Sequence, residues 1–353
     1  MHELQLKYVP QLDSIRAIAA LMVVFSHYFY TYFQINLHLG HKGVQIFFVL
    51  SGFLITYILL LQKGSSFSKG IIIRNFAIKR ILRLFPIYFL LLFFLWFVAI
   101  AFNARFWQTG NGIFYFTYTS NFLFFFKGFV DPVLNHTWSL AVEEQFYLLW
   151  PWIAIFVSRR LSIALVVLSM LFSLLFKSFS EVPNGIFLLS SHIDTMGTGI
   201  LLAFVFYYDI SIIKKWLKYN NYLLWLSLLF LILDYIYPMP KILTNLTIMC
   251  LSAALIIGCF FEFKGLFGKF LNLKLIVYLG QISYGVYLYH KVIPEILKLF
   301  YFKTNLFFPN YVSASICILL TLIVSHLSYQ YIEKVFLRLK ENFNLKNILV
   351  TST

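Results

Sequence analysis

The sequence predicts an all-α, polytopic integral membrane protein with about ten transmembrane helices. Hydrophobic residues make up 61% of the 353 residues and charged residues 12%, whereas soluble domains carry about 25% charged residues. Mean hydropathy is correspondingly high, at +0.83. Apolar runs of bilayer-crossing length follow one another through the chain, so we expect a single transmembrane domain over residues 1–340. Residues 341–353 are expected to be a short cytoplasmic tail.

The apolar runs place each predicted span along the chain. The spans cover residues 12–34, 43–61, 84–102, 138–157, 161–176, 188–208, 222–237, 242–261, 276–297 and 311–333. The runs at 161–176 and 222–237 are shorter than the usual length of about 20 residues, so the bounds are approximate. The first span holds Arg16 and His27 inside its apolar run, which is not typical of a cleaved signal peptide.

The basic residues predict how these spans are oriented. If the N-terminus is cytoplasmic, 20 of the 28 lysines and arginines lie on the cytoplasmic side and 8 lie outside, as the positive-inside rule requires. Residues 113–126 are apolar enough for an eleventh span, but a crossing there would reverse this bias in all later loops. We therefore expect an interfacial or re-entrant segment in an outer loop at 103–137, and both termini inside. The net charge of +15 thus indicates membrane orientation and no nucleic-acid partner.

The first span contains two ionisable residues on one helix face. Arg16 and His27 are eleven residues apart, which is three turns plus about 20° and about 16 Å along a helix axis. An ionisable residue in the middle of a membrane span costs about 2.5–3.5 kcal/mol on insertion scales. Both residues are therefore candidates for a functional site, although a lone membrane histidine is as often an interhelical hydrogen-bonding residue.

The predicted topology sorts the polar residues of the spans into two layers. The layer in the outer half of the bilayer contains His27, Ser51, Glu143, Glu144, Asp194 and His290. A neutral imidazole can take a proton from a hydroxyl group and a carboxylate can orient it, so this layer suits acid–base chemistry. Adjacent helical residues point about 100° apart, so the two glutamates cannot face one point equally.

The second layer lies at the cytoplasmic side and suits an anion. It contains Asp13, Arg16, Arg80, Arg83 and Glu333. Arg80 and Arg83 are spaced i, i+3 and share a helix face, and guanidinium groups bind phosphate through paired hydrogen bonds. The acidic members can be salt-bridge partners. No histidine, cysteine or carboxylate spacing fits a metal site, and His136, Trp138 and Trp150 fit interface anchors.

Six motifs occur in order over residues 11–340. They are LDSIRAIAALMVVFSH from Leu12 to His27, GVQIFFVLSGFLIT from Gly43 to Thr56, KRILRLFPIY with Arg80 and Arg83, HTWSLAVEEQFYLLWP from His136 to Pro151, SHIDTMGTGILLAF from Ser191 to Phe204, and GQISYGVYLYH from Gly280 to His290. Together they resemble membrane acyltransferase family 3, the integral-membrane O-acyltransferases of surface polysaccharides. One departure is the end of the chain, where Glu333 is followed by Lys334 and Val335 instead of the proline that the family often has two residues after the glutamate. This departure weakens any role for Glu333.

The resemblance implies a role for each matching residue. His27 is the expected catalytic base or acyl-handling histidine, and Glu143 or Glu144 is expected to assist it or the acceptor hydroxyl. The arginines expected to hold an acyl coenzyme A donor from the cytoplasmic side are Arg16, Arg80 and Arg83. The supporting or substrate-binding residues are expected to be Asp13, Ser51, Trp138, Asp194, Tyr289 and His290. The sequence does not separate direct transfer from an acyl-enzyme.

The implied protein is a multi-pass O-acyltransferase of the bacterial inner membrane, in contact with the lipid bilayer. It would move an acyl group, expected to be acetyl, from cytoplasmic acyl-CoA to a hydroxyl of a cell-surface saccharide such as O-antigen or exopolysaccharide, free or lipid-linked. Some relatives carry a fused extracytoplasmic esterase-like domain. We expect none in this chain, so a handover to such a domain would require a separate extracytoplasmic protein or does not occur.

Two alternatives remain open at the level of the sequence. One is an acyltransferase that acts on a small metabolite or an antibiotic. The other is a proton-coupled transporter with His27 and Glu144 as a relay, since intramembrane histidine and glutamate also suit transport. The absence of a repeat between the two halves of the chain disfavours the transporter.

Overall fold

The computed structural model describes residues 8–102, 110–179 and 183–343, and it confirms the all-α prediction. The described residues contain α-helices, short 3₁₀ turns and one π-helical turn, and no strand. The α-helices are α1 (Pro10–Phe33), α2 (Leu39–Lys63), α3 (Lys69–Phe102), α4 (Gly112–Phe116), α5 (Ser120–Lys127), α6 (Thr137–Phe156), α7 (Arg159–Phe179), α8 (Ile193–Tyr208), α9 (Ile210–Trp216), α10 (Asn220–Ile236), α11 (Lys241–Phe260), α12 (Gly265–Leu271), α13 (Lys274–Gln281), α14 (Ser283–Tyr289), α15 (Val292–Thr304), α16 (Asn310–Ser328) and α17 (Lys334–Glu341).

Within the described residues, seven helical segments are long and apolar enough to cross a membrane, judged by length and composition. They are Pro10–Phe33, Leu39–Lys63, Lys69–Ala101, Arg159–Lys177, Ile210–Ile236, Lys241–Phe260 and Asn310–Glu341. The chain is therefore a multi-pass membrane protein. The count of ten spans and the cytoplasmic placement of both termini stay predictions. Residues 344–353 of the predicted tail lie outside the described part.

The third predicted span is longer than expected. Helix α3 begins at Lys69 and continues to Phe102 through Pro86, so the basic segment at 74–83 is its first half. Arg80 and Arg83 therefore project from the same helix that enters the apolar region.

The prediction of one continuous span at 276–297 is wrong, because this segment forms α13, α14 and α15 with breaks at Ile282 and at His290–Lys291. Pro294 gives a physical reason for the second break. Proline has no backbone N–H, so it cannot donate to the carbonyl four residues earlier, which is that of His290. That carbonyl instead accepts a hydrogen bond from the Tyr28 hydroxyl of α1 at 2.9 Å.

The segment at 113–126 forms the short helices α4 and α5, which are far shorter than the roughly 20 residues of a membrane span. The loop that follows is held by Asp131. Its carboxylate accepts the Val133 and Leu134 amides at 3.0 and 3.3 Å and the Tyr115 hydroxyl at 3.1 Å. Burial nevertheless raises the pKa of Asp131. Residues 103–109 of the predicted outer loop lie outside the described part.

Glycines allow the backbone of α2 to approach the backbones of α1 and α8 closely. A Cβ on Gly52 would collide with the Met196 carbonyl of α8, and a Cβ on Gly199 of α8 would collide with the Val49 carbonyl of α2. A Cβ on Gly43 would lie 2.6 Å from the Ala19 carbonyl of α1. Small residues at such crossings allow the close approach that packs membrane helices without a hydrophobic driving force.

We expect Gly199→Ala to destabilise the protein by about 1–3 kcal/mol, because the added methyl group must push α8 away from the α2 backbone. The matched control is Gly70→Ala, since a Cβ on Gly70 of α3 meets nothing within 4 Å. Alanine there improves helix propensity by up to about 1 kcal/mol. Thermal unfolding in detergent measures both variants, and equal melting temperatures would contradict the packing argument.

Candidate active site

A wide cleft, which we call the vestibule, opens beside the N-terminal end of α1 and has a volume of about 1820 Å³. It contains five basic and two acidic side chains. These are Arg16, Lys79, Arg80, Arg83, Lys340, Asp13 and Glu333. The structure thus brings together all five residues that were predicted for the cytoplasmic layer, and it adds two lysines. The excess of positive charge suits a ligand with several negative charges.

The two acidic residues of the vestibule differ in their hydrogen bonding. Asp13 accepts a hydrogen bond from Arg16 at 2.8 Å and another from the Tyr8 hydroxyl at 2.7 Å. Burial and the bond to Asp13 raise the pKa of Tyr8. Glu333 lies in the π-helical turn Tyr329–Glu333, and its buried Oε1 has no hydrogen-bond partner among the described residues. Such π-turns are frequent at functional sites.

A second space, which we call the inner cavity, has a volume of about 650 Å³ and shares part of its lining with the vestibule. Three arginines line both spaces, and they are Arg16, Arg80 and Arg83. The polar groups that line only the inner cavity are Ser51, Ser139, Glu143, Tyr147, Ser283, Tyr284 and Tyr287. The three arginines therefore stand where a charged cleft narrows into a smaller cavity.

Glu143 is the glutamate that reaches the inner cavity. It accepts a hydrogen bond from the Ser51 hydroxyl at 2.7 Å, and Ser51 also lies 3.3 Å from the Tyr147 hydroxyl. The Arg80 guanidinium lies over the Tyr147 ring, 4.9 Å from its centroid. These contacts form one polar network from α2, α3 and α6.

Glu144 does not line the inner cavity. It interacts electrostatically with Tyr88 and Tyr118, which line neither space, and with Tyr284, which lines the inner cavity. The roughly 100° between adjacent helical residues accounts for this division.

His27 lies in a cluster of three histidines rather than beside the glutamates. The ring centroids of His27 and His290 are 5.1 Å apart, and those of His290 and His136 are also 5.1 Å apart. Tyr287 contacts both His136 and His290 and also lines the inner cavity. His27 is therefore two ring contacts away from the cavity wall, by way of His290 and Tyr287.

The break before Pro294 accounts for the position of His290. Because the His290 carbonyl has no helical donor, it binds Tyr28, which is the residue after His27 in α1. The same hydroxyl lies 2.7 Å from Thr321 of α16. The break thus fastens the end of α14 to the part of α1 that carries His27.

Carbonyl contacts indicate where the two buried imidazoles carry their protons. His290 Nδ1 is in hydrogen-bond contact with the Tyr287 carbonyl, and His136 Nε2 with the Leu288 carbonyl at 3.1 Å. A carbonyl only accepts, so each of these nitrogens is the donor, and in a neutral ring the opposite nitrogen is an acceptor. Those opposite atoms, His290 Nε2 and His136 Nδ1, are buried with no hydrogen-bond partner among the described residues.

Three other predicted site residues lie outside both spaces. Asp194 is fully buried and bonds Lys177 at 2.7 Å. The Trp138 ring stacks on His192 at 5.1 Å. Tyr289 bonds Ser328 at 2.9 Å. These contacts hold helices together away from the inner cavity.

The interpretation of His136 and Trp150 as interface anchors is wrong. Both are buried, and Trp150 donates a hydrogen bond to the Thr56 hydroxyl at 2.8 Å. Trp150 Nε1 and His136 Nε2 both have hydrogen-bond partners inside the protein, so neither side chain needs the membrane surface.

Sequence reasoning missed the phenols of the inner cavity. Tyr284 and Tyr287 have the i, i+3 spacing of one helix face and lie inside the last sequence motif, which could have identified them. Tyr147 follows Glu143 by four residues and shares its face. In a chain with 23 tyrosines, these signals are weak without the positions of the helices.

Comparisons with known proteins show the family that the chain resembles in sequence. Residues 9–329 match a family model described as an acyltransferase domain. The chain is 29% identical over 355 residues to YrhL of Bacillus subtilis, a provisionally named peptidoglycan O-acetyltransferase, covering 93% of this chain and 55% of YrhL. It is 29% identical over 357 residues to the O-acetyltransferase OatA of Staphylococcus aureus, covering 93% and 57%. It is 28% identical over 354 residues to the peptidoglycan O-acetyltransferase OatA of Listeria monocytogenes, covering 93% and 55%.

The chain thus spans a little over half the length of these curated relatives. No solved structure shows a significant match to it.

We expect Arg83→Gln to weaken the binding of coenzyme A by about tenfold or more, because it removes charge-assisted hydrogen bonds to phosphate from the vestibule. Arg83→Lys should recover only part of the loss, since lysine lacks the planar fork of the guanidinium. The matched control is Arg74→Gln on the same helix, because Arg74 is exposed and lines neither space. Isothermal titration in detergent measures the affinities, and an equal loss in the control would argue against the vestibule.

Proposed function

The chain belongs to membrane acyltransferase family 3, and from this premise we propose that it is a membrane O-acetyltransferase that uses acyl-CoA. The donor would enter through the vestibule, and the acceptor would be a hydroxyl group of a cell-surface glycan. The observation that carries the proposal is the position of Arg16, Arg80 and Arg83, which line both the vestibule and the inner cavity.

The two connected spaces match the two parts of an acyl-CoA molecule. Its phosphates need several cations in an open, hydrated cleft, which the vestibule provides. Its thioester arm is narrow and less polar, and the inner cavity beyond the arginines offers space of that kind. Arg80 would contact the phosphates while its guanidinium rests on the Tyr147 ring.

Glu143 and Ser51 would act at the thioester end. Their 2.7 Å hydrogen bond holds both side chains against the wall of the inner cavity. The Ser51 hydroxyl can donate to the thioester carbonyl once Glu143 is protonated or displaced, and the Glu143 carboxyl can exchange a proton with the departing sulfur.

The histidine cluster would act on the acceptor. In direct transfer, His27 would take the proton of the attacking hydroxyl as the new C–O bond forms and the C–S bond breaks, and it would pass that proton to the departing thiolate. In transfer through an acyl-enzyme, the bond that breaks in this step would be the one between the acyl group and the enzyme. His290 would orient the His27 ring. The acyl group would pass Tyr287 either directly or on a transient acyl-enzyme, and both routes are compatible with this geometry.

The first acceptor to test is peptidoglycan, because the names of two relatives specify peptidoglycan O-acetylation. The O-antigen or exopolysaccharide acceptor expected from the sequence belongs to the same class of surface hydroxyl compounds. We propose the bacterial cytoplasmic membrane as the location, with the vestibule facing the cytoplasm, where acyl-CoA is available.

The decisive experiment follows thiol release and label transfer from acetyl-CoA to cell-wall glycan by the purified protein. We expect acceptor-dependent turnover that falls about 10²–10⁴-fold in His27→Gln, because a general base supplies a factor of this size. The matched control is His38→Asn, since His38 is exposed in the loop before α2 and its left-handed backbone tolerates asparagine.

Full activity in a folded His27→Gln protein would refute the role of His27. The absence of turnover with several donors and acceptors in the wild type would favour transport or a small-molecule acceptor instead.

We expect Glu143→Gln to lower turnover about 10²-fold or more, because it removes the ionisable group at the thioester end. Glutamine can still accept the Ser51 hydrogen bond, so the fold should persist. Glu144→Gln is the matched neighbour outside the inner cavity, and we expect a change of less than about fivefold. Steady-state kinetics at saturating donor measures both, and a larger loss in Glu144→Gln would reverse the assignment.

A further inference from the structure

Lys291 lies beside the histidine cluster and has no role in the proposed reaction. It follows His290 directly, precedes α15 and is half-buried. Its ammonium group is close enough to interact electrostatically with His27, His136 and His290. From the sequence alone, Lys291 is predicted only to be a basic residue on the outer side of the membrane.

Lys291 has no directly bonded counter-ion within the described part of the chain, although Glu295 interacts with it electrostatically. No carboxylate there lies within 4.0 Å of its ammonium. Glu295, one turn further along, bonds Lys298 at 2.6 Å. Asp131 in the neighbouring loop already accepts two amides and a tyrosine hydroxyl. A half-buried cation without a partner is costly, and a bound anion would remove that cost.

The histidines beside Lys291 carry unused acceptor atoms. His290 Nε2 and His136 Nδ1 are buried without a hydrogen-bond partner among the described residues. Their side chains are almost completely buried, at 0% and 3% exposure. A hydroxyl group can donate to such a nitrogen. The cluster therefore offers one cation and several hydroxyl-accepting nitrogens at one place.

Resting on the proposed function, we infer that Lys291 and the three histidines form the acceptor site, and that the acceptor is a saccharide with an anionic group. The anion, a carboxylate or a phosphate, binds the Lys291 ammonium. Sugar hydroxyls donate to the imidazoles, and one of them is the hydroxyl that His27 deprotonates. Among the described residues no carboxylate bonds Lys291, and Glu295 is bonded to Lys298, so the substrate supplies the anion.

The anion also helps the reaction. When His27 accepts the hydroxyl proton, a second cation forms close to Lys291, and the two repel each other. An anion bound at Lys291 offsets this repulsion at the moment of proton transfer. Acidic acceptors should therefore gain in turnover as well as in binding, since this interaction strengthens in the transition state.

The surroundings leave room for such a ligand. His27 and Lys291 are both partly exposed. A groove of about 1000 Å³ is lined by Val292, next to Lys291, and by Val133 in the loop that leads to His136, whereas Lys291 and the three histidines are not part of its lining. A saccharide would therefore contact the cluster at the exposed faces of His27 and Lys291.

The test compares three matched oligosaccharides that carry a carboxylate, a phosphate or the neutral methyl ester of the carboxylate. For the wild type we expect at least one charged form to exceed the neutral one by about tenfold or more in kcat/KM. Lys291→Gln should lose this preference and keep its KM for the donor, and Lys291→Arg should restore part of it. Lys241→Gln is the matched control, because Lys241 is exposed at the start of α11 and lines neither this groove nor the vestibule.

A wild type without preference for either anion, or a Lys291→Gln protein that keeps the preference, would overturn the inference. Direct binding titration of the three oligosaccharides distinguishes a failure of this inference from a failure of the proposed function. Charge-dependent binding that Lys291→Gln weakens, in a protein without acyl transfer, would retain the anion site and reject the reaction. Acyl transfer that does not depend on the charge of the acceptor would retain the proposed reaction and reject the anion site. The donor KM also shows whether Lys291→Gln has folded.

Discussion

The structure depends on one electrostatic constraint: a charged side chain among apolar helices needs a counter-ion or an open, hydrated space. Two lysines satisfy this constraint by forming ion pairs, because Lys42 bonds Asp234 at 2.9 Å and Lys177 bonds Asp194 at 2.7 Å. Each pair joins two helices. Arg80 and Arg83 have no carboxylate within 4.0 Å in the described chain, and they face the vestibule. These two ion pairs thus stabilise the fold, while Arg80 and Arg83 indicate where a negatively charged ligand is expected.

Depth along the membrane could be predicted from the sequence, because the rise of a helix per residue is nearly constant. For this reason the five residues of the cytoplasmic layer, from Asp13 to Glu333, do meet in one vestibule. Depth does not say in which direction a side chain points around the helix bundle. The outer layer accordingly divides: Ser51 and Glu143 reach the inner cavity, His27 and His290 form a separate cluster, and Asp194 is bonded to a lysine.

The remaining features depend on contacts that no spacing in the sequence reveals. His136 and His290 come from segments 154 residues apart, and their contact requires both a broken helix and the hydroxyl of Tyr28. Pro294 is a sequence signal for the break between α14 and α15, but the apolar run around it is also typical of one membrane span. His136 was misinterpreted because a histidine beside tryptophan is common at membrane surfaces, and only the packing of the outer loop shows that it is buried.

Helix α1 connects the donor side of the proposed reaction to the acceptor side. It carries Arg16 and His27 on one face, about 16 Å apart along its axis, so the distance between the two sites is set by a single rigid element. Its other contacts prevent it from sliding. A Cβ on Gly280 would collide with the Asp13 carbonyl near one end of α1, Gly43 of α2 lies against Ala19 in the middle, and the His290 carbonyl holds Tyr28 beyond it. In the proposed reaction the thioester arm of the donor would extend from the arginines towards the histidines, and Tyr287, which lines the inner cavity and contacts His136 and His290, lies between the two sites.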